Sequence, residues 1–176
     1  MYNDLNRWSY QKNAIEKISR FFSKDELKKG LLVIPTGGGK TLTALRAINE
    51  LYRTKVISKK VLWISHLRQL NIQTKNVIKK QLRNRKFLGN LEDIHINFRL
   101  VTPCMKSEAK LQIKNNKTEY DLVVIDEAHH AAADDYRLIV GSSLPLLGLT
   151  ATPTRLDSRN LPFDEIIFQV SPSELF

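Results

Sequence analysis

Five short apolar runs punctuate the chain: LLVI at 31–34, VLWI at 61–64, FRLV at 98–101, LVVI at 122–125 and LPLLGL at 144–149. They alternate little between apolar and polar positions, the pattern of strands buried on both faces of a parallel sheet. Stretches with helical spacing lie before and between them. Ala14, Ile15, Ile18, Phe21 and Phe22 share one face ahead of the first run, and Ala44, Leu45, Ile48, Leu51 and Tyr52 share one after Lys40. A third, less regular stripe runs through Leu67, Leu70, Val77, Ile78 and Leu82. Such stripes are core-facing. Residues 103–120 are expected to hold one short helix and an exposed polar loop, and a further strand is expected around Ile166–Val170, ahead of a Ser-Pro turn.

Strand alternating with helix predicts an α/β doubly wound domain with right-handed crossovers. No internal repeat, low-complexity block or shift in composition divides the chain, so residues 1–176 are expected to form one domain. In such sheets ligands bind beyond the carboxyl ends of the strands. The segments following the five runs are PTGGGKT, SHLRQL, TPCMKS, DEAHH and TATPTR. Five polar, chemically capable segments are thereby expected at one edge of one sheet.

The first of them resembles a phosphate-binding loop. Glycines keep side chains away, so that backbone N–H groups of Thr36, Gly37, Gly38 and Gly39 can surround phosphate oxygens, and the following helix points its positive end at them. Lys40 can reach the β- and γ-phosphates as a point charge, and the Thr41 hydroxyl can coordinate Mg²⁺. The pattern departs from G-x-x-x-x-G-K-[ST] at its first position, where Ile34 stands. DEAHH supplies the second half of such a site. A carboxylate at the end of a buried strand is costly unless it serves a cation or a hydrogen-bond network. Asp126 is therefore the expected Mg²⁺ partner, and Glu127 can orient or deprotonate the attacking water. An N-terminal helix cap is the plainer use of two such acids. His129 and His130 are adjacent and lack further spaced ligands, which is poor zinc geometry, and His95 is most simply a surface or half-buried residue.

Composition adds three bounds. A hydrophobic fraction of 42% and a charged fraction of 26% are ordinary for a globular protein, no apolar run is long enough for a membrane span, and the N-terminus MYNDLNRWSY has no apolar signal core. The single cysteine, Cys104, excludes an internal disulfide, fits a reducing cytoplasm, and reads as a structural thiol rather than a nucleophile. The net charge of +10 is unevenly placed: eleven Lys/Arg residues and no acid lie between Leu51 and Leu91. A one-sign field of this kind attracts polyanions, although it also describes a merely solvated face.

PTGGGKT, DEAHH and GLTATPTR, in this order, resemble the first RecA-like motor domain of superfamily-two helicases and translocases, in particular the helicase subunit of type I and type III restriction systems. The resemblance covers the chain from about Tyr10 to its end. That superfamily often replaces the first loop glycine. The resemblance implies ATP and Mg²⁺ as ligands and Lys40, Asp126 and Glu127 as catalytic residues. It implies that Gln11, in YQKNAI, reads the adenine edge. His66 and Arg68 of SHLRQL and Thr102 of VTPCM would touch phosphates of a bound strand. His129, Thr150 and Thr152 would couple hydrolysis to motion, with Arg155 in that network or at the surface between domains. Its partners would be DNA, with RNA less favoured, a second RecA-like domain supplying an arginine worth about 10³–10⁵ in rate, and a nuclease or other subunits, with no membrane association. The chain is expected to be a fragment lacking that second domain. Three to five of the eleven cations are expected to approach nucleic acid, for a salt slope of about −2 to −4 on single strands. A P-loop ATPase of another superfamily, or a catalytically weak module using only its basic face, are the alternatives.

Overall fold

Unbroken apolar runs cannot sit in a sheet with one wet face, and this chain resolves them into a sheet covered on both. The computed structural model describes residues 3–24, 27–83, 101–131, 136–152 and 161–174. Its strands are β1 (Lys29–Val33), β2 (Lys60–Ser65), β3 (Val101–Met105), β4 (Tyr120–Asp126), β5 (Leu146–Thr150) and β6 (Glu165–Gln169). They form one six-stranded sheet in the order β3-β2-β4-β5-β1-β6, with every pair parallel. The helices are α1 (Asn3–Phe22), α2 (Lys40–Arg53), α3 (Arg68–Arg83), α4 (Lys106–Asn116) and the single turn α5 (Arg137–Val140).

Because successive strand residues point to opposite faces, each run feeds two cores. On one face Leu32, Trp63, Val124 and Leu149 pack with Ala14 and Ile18 of α1, Leu45 and Ile48 of α2, and Ile78 of α3. On the other, Leu31, Val33, Leu62, Ile64, Val123 and Ile125 meet Ala109 and Ile113 of α4 and Ile139 of α5. This is the doubly wound parallel architecture expected from the alternation of elements.

Two expectations shift. The run at 98–101 contributes only Val101 to β3, and residues 98–100 lie outside the described residues. VTPCM, expected to follow the third strand, is itself that strand. Pro103, opposite Trp63, is tolerated there because among the described residues β3 is an edge strand that pairs with β2 alone, and a proline without an N–H costs least at an edge. The polar loop expected before residue 120 is reduced to a 3-10 turn at Lys117–Glu119, after α4. No described helix is long and apolar enough to cross a membrane.

Trp63 of β2 is fully buried in the core on one face of the sheet. Trp63→Ala is expected to destabilise the chain by about 3–5 kcal/mol, the usual cost of deleting a buried aromatic, read as a lower urea midpoint by far-UV circular dichroism.

Candidate nucleotide site and the strand ends around it

β1 ends at Val33, yet the chain stays in the sheet for one more residue: the Ile34 N–H donates to the Thr150 carbonyl at 3.0 Å, and its side chain is fully buried. Ile34 therefore belongs to the strand, and the departure at this position leaves the loop intact. The loop then turns through Gly37 (φ 82°) and Gly39 (φ 83°), left-handed conformations that a side chain would strain. α2 follows at once. No acidic residue occupies its first turn and no side chain caps it, so its first N–H groups face an open position that an anion can fill.

The loop is braced from behind by α1. The Tyr10 hydroxyl donates to the Gly38 carbonyl, and Gln11 Nε2 lies 3.5 Å from the same oxygen. Arg46 Nη1 donates to Gln11 Oε1 at 3.3 Å. A Cβ on Gly39 would come within 2.8 Å of Gln11 Nε2. Gln11, expected to read adenine, thus has both ends of its amide turned onto protein groups of the loop and α2. Tyr10 and Arg46 were not singled out in the sequence, although Tyr10 directly precedes the glutamine.

β4 delivers the acids. Asp126 is buried, and its carboxyl accepts the Glu127 N–H at 3.1 Å. Its pKa is pushed up to about 6, first by burial and then by the Glu127 charge, with the Lys40 ammonium and the Glu127 N–H opposing the rise. Glu127 is a non-glycine residue at φ 53°, ψ 56°, a conformation costing roughly 1–3 kcal/mol and typical of sites where geometry is imposed by function. The turn it makes brings its Oε1 to 3.5 Å from Lys40 Nζ. Lys40 is itself only 8% exposed. Between loop and acids lies a cavity of about 370 Å³, lined by Pro35, Thr36, Gly37, Gly39, Lys40, Thr41, Leu42, Asp126 and Glu127. Leu70, Gln73, Thr74 and Val77 of α3 close its far wall. Leu70 and Val77 read in the sequence as part of a core stripe, and nothing local marked them as cavity-lining.

The donor set suits Mg²⁺. A carboxylate and a hydroxyl are hard oxygen ligands, and a buried carboxylate whose burial is only partly offset is a position that a divalent cation would satisfy.

The remaining strand ends extend this edge. His129 Nδ1 lies 3.3 Å from Thr150 Oγ1 and 3.4 Å from Glu127 Oε2. Thr150 donates its own proton to the Thr152 carbonyl at 2.8 Å and accepts the Thr152 N–H at 3.2 Å. Both neighbours of His129 Nδ1 are therefore acceptors, which assigns its ring proton to that nitrogen. The structure thus brings together His129, Thr150 and Thr152. The His130 ring sits 4.2 Å from His129 and 4.1 Å from His66, forming a row of three imidazoles. Burial pushes the His66 pKa down; Glu127 opposes this, while His129 and Lys106 add to it. Arg68 is exposed at the first position of α3. Thr102 stands apart: it is half-buried within β3 opposite Leu62, short of the strand end where the other residues gather. Arg155 lies outside the described residues.

Residues 4–155 match the family described as type III restriction enzyme, res subunit. The chain is 26% identical over 180 aligned positions to the putative ATP-dependent helicase IRC3 of Saccharomyces cerevisiae, covering 90% of this chain and 25% of that protein. It is 32% identical over 155 positions to the type I restriction enzyme EcoAI endonuclease subunit of Escherichia coli, covering 82% of this chain and 19% of that one. Among solved structures, a nuclease-deletion mutant of the type ISP restriction-modification enzyme LlaGI, in complex with a DNA substrate mimic, superposes with a TM-score of 0.69. The match is 20% identical and covers 94% of this chain and 20% of that one. The chain spans a third or less of the length of each.

The Asp126 pKa fixes the sign of a pH effect. Its folded value of about 6 lies above the ordinary 3.8, so the fold favours the neutral acid; stability from this group is present at low pH and is lost as pH rises from about 4 through 6. In the apo chain at pH 7.5, Asp126→Asn is expected to unfold at an equal or higher temperature than wild type, with the difference closing as pH falls. The Mg²⁺-dependent gain in nucleotide affinity of wild type should shrink roughly tenfold between pH 7.5 and pH 5, because the metal needs the ionised carboxylate. Calorimetric titration of both proteins checks this, the variant subtracting the titration of the nucleotide itself.

Proposed function

The chain belongs to the type III restriction enzyme res subunit family, and from that premise we propose that it is the first RecA-like motor domain of a superfamily-two helicase or translocase. It binds ATP with Mg²⁺ and, with a second such domain, couples hydrolysis to movement on nucleic acid. The observation that carries this reading is the Lys40–Glu127 contact, 3.5 Å across the floor of the glycine-loop cavity. It places a cation for the phosphates and a carboxylate for the attacking water on either side of one space.

In this scheme the phosphates enter beneath the N–H groups of Gly37 to Thr41 and take Lys40 from Glu127. Glu127, relieved of that partner, keeps His129 on its other oxygen and turns its free oxygen to a water in line with the γ-phosphorus. Asp126 and Thr41 would hold Mg²⁺, which neutralises charge on the β- and γ-phosphates when bound. Gln11 reaches adenine only by exchanging its present partners, so its first role here is to hold the loop. Thr150, joined to both His129 and Thr152, ties the acid turn to the segment after β5.

The arginine that reaches the γ-phosphate is expected from a second motor domain, so residues 1–176 assayed by themselves are expected to bind nucleotide but hydrolyse it slowly. DNA is preferred to RNA on the strength of the restriction relatives. A reducing, cytoplasmic setting accords with Cys104, which is buried and whose thiol is pushed up to about 12 by that burial. A binding module without catalysis is disfavoured by the assembly of Lys40, Asp126 and Glu127 around one cavity.

Titration with a fluorescent ADP in the presence and absence of Mg²⁺ tests the site. Lys40→Ala should keep its circular dichroism spectrum and lose about 10- to 100-fold in affinity, the worth of a charge-assisted hydrogen bond. An unchanged titration in a folded variant would overturn the phosphate assignment. Vigorous nucleic-acid-stimulated turnover by the chain alone would overturn the need for a second domain.

A further inference from the structure

The fold sorts the cations that the sequence presents as one block. At the amino end of the sheet they have counter-charges: Arg53 Nε donates to Glu50 at 2.8 Å, Lys60 Nζ to Glu119 at 2.6 Å, and Lys59 Nζ lies 3.9 Å from Asp121. Along α3 the situation is different. Arg68, Lys75 and Lys79 are exposed, no acidic residue lies on the helix, and none of the three forms an ion pair among the described residues. Their spacing of seven and four residues puts them within about 20° of a single line at 100° per residue. Ile72, 49% exposed, falls close to the same line.

That line lies on the flank away from the nucleotide cavity, which is walled by Leu70, Gln73 and Val77 on the opposite side of α3. α3 packs against β3 and β2, and with its opposite side walling the cavity the stripe runs on the β3 side of the sheet, where the charge of Lys75 also reaches the Cys104 thiol. It starts one residue beyond Leu67, at the strand end that carries His66, and runs about 16 Å down the helix. Successive cations are about 10 and 6 Å apart along the helix axis, close enough to lie along one continuous backbone of phosphates.

We propose that the Arg68–Lys75–Lys79 stripe is a nucleic-acid phosphate track. It continues the contact begun at His66 down the β3 margin, with Ile72 resting against sugar or base. It rests on the reading of the chain as a nucleic-acid motor domain and adds a surface outside the strand-end motifs. The occupant is a phosphodiester backbone because the stripe is a repeat of unpaired positive charge, and it reads no base edge.

The test is fluorescence anisotropy of the 176-residue chain with labelled oligo(dT) of 20 and of 6 nucleotides, from 50 to 300 mM salt. Two double variants remove equal charge: Lys75→Gln with Lys79→Gln, and Lys59→Gln with Lys60→Gln. Thermal midpoints verify that each folds. On the long oligonucleotide the first pair should flatten the slope of log K against log salt by about 1.4, at about 0.7 per phosphate contact, while the second leaves it unchanged. On the short one, which has too few phosphates to occupy the strand-end contacts and the whole stripe together, the flattening by the first pair should be smaller. Equal flattening by both pairs, or by neither, would overturn the track while leaving the motor reading in place. A wild-type chain that binds no oligonucleotide at any salt would overturn both. Displacement of the oligonucleotide by polyglutamate at equal charge would reassign the stripe to an acidic protein.

Discussion

An ammonium and a carboxylate drawn out of water at the end of a sheet stabilise each other only if the backbone brings them together, and the Lys40–Glu127 pair depends on that. The two residues arise from strands that are not neighbours: β5 runs between β1 and β4. The register pairs Leu31 with Gly148 and Gly148 with Ile125, so β5 acts as the spacer across which the pair forms. Gly148 has no room for a side chain, since a Cβ there would meet the Phe163 ring at 2.4 Å. The left-handed turn at Glu127 then swings the carboxylate back over β5. A buried pair of this kind is weak evidence for stability; under the proposed function either partner is exchanged for a phosphate or a water.

The loop itself is stiffened by contacts that oppose its own composition. Three consecutive glycines lose more conformational entropy on folding than any other triplet. Tyr10 and Gln11 hold the Gly38 carbonyl, while the Thr43 N–H takes the Gly39 carbonyl at 2.9 Å into the first turn of α2. The element implied to recognise the base is thereby the same one that shapes the phosphate cradle. Occupancy of one half of the site is in contact with the other.

Beyond the cavity, the acid turn is connected sideways. Glu127 shares His129 with Thr150, and the row His129, His130, His66 reaches the end of β2, where Arg68 and the cationic flank of α3 begin. The burial that disfavours the charged form of His66 matters here, because neighbouring charged imidazoles about 4 Å apart would repel one another. Under the proposed function, ATP chemistry and nucleic-acid contact would occupy one continuous strip of strand ends, with α3 at both: one flank walls the cavity and the other faces outward.

Much of this was legible along the chain because it is local. Apolar runs without alternation identified β1, β2, β4 and β5 as strands of a doubly buried sheet, and helical spacing identified α1, α2 and α3. The glycine-lysine-threonine spacing and the acids after a buried run marked both halves of the site. Where the pattern is weak, the sequence misled: β3 is an edge strand with only part of its residues buried, so its run was placed too early and Thr102 was expected at a strand end it does not reach. Other features were never local. Strand order, the interposed β5, the turning of Gln11 onto the loop, the cavity wall on α3 and the histidine row all arise from contacts between residues far apart in sequence. So does the division of the described cations of this block into those paired with Glu50, Glu119 and Asp121 and those, on α3, that face solvent. A sequence states which charges exist; only the packed sheet decides which of them meet a counter-charge.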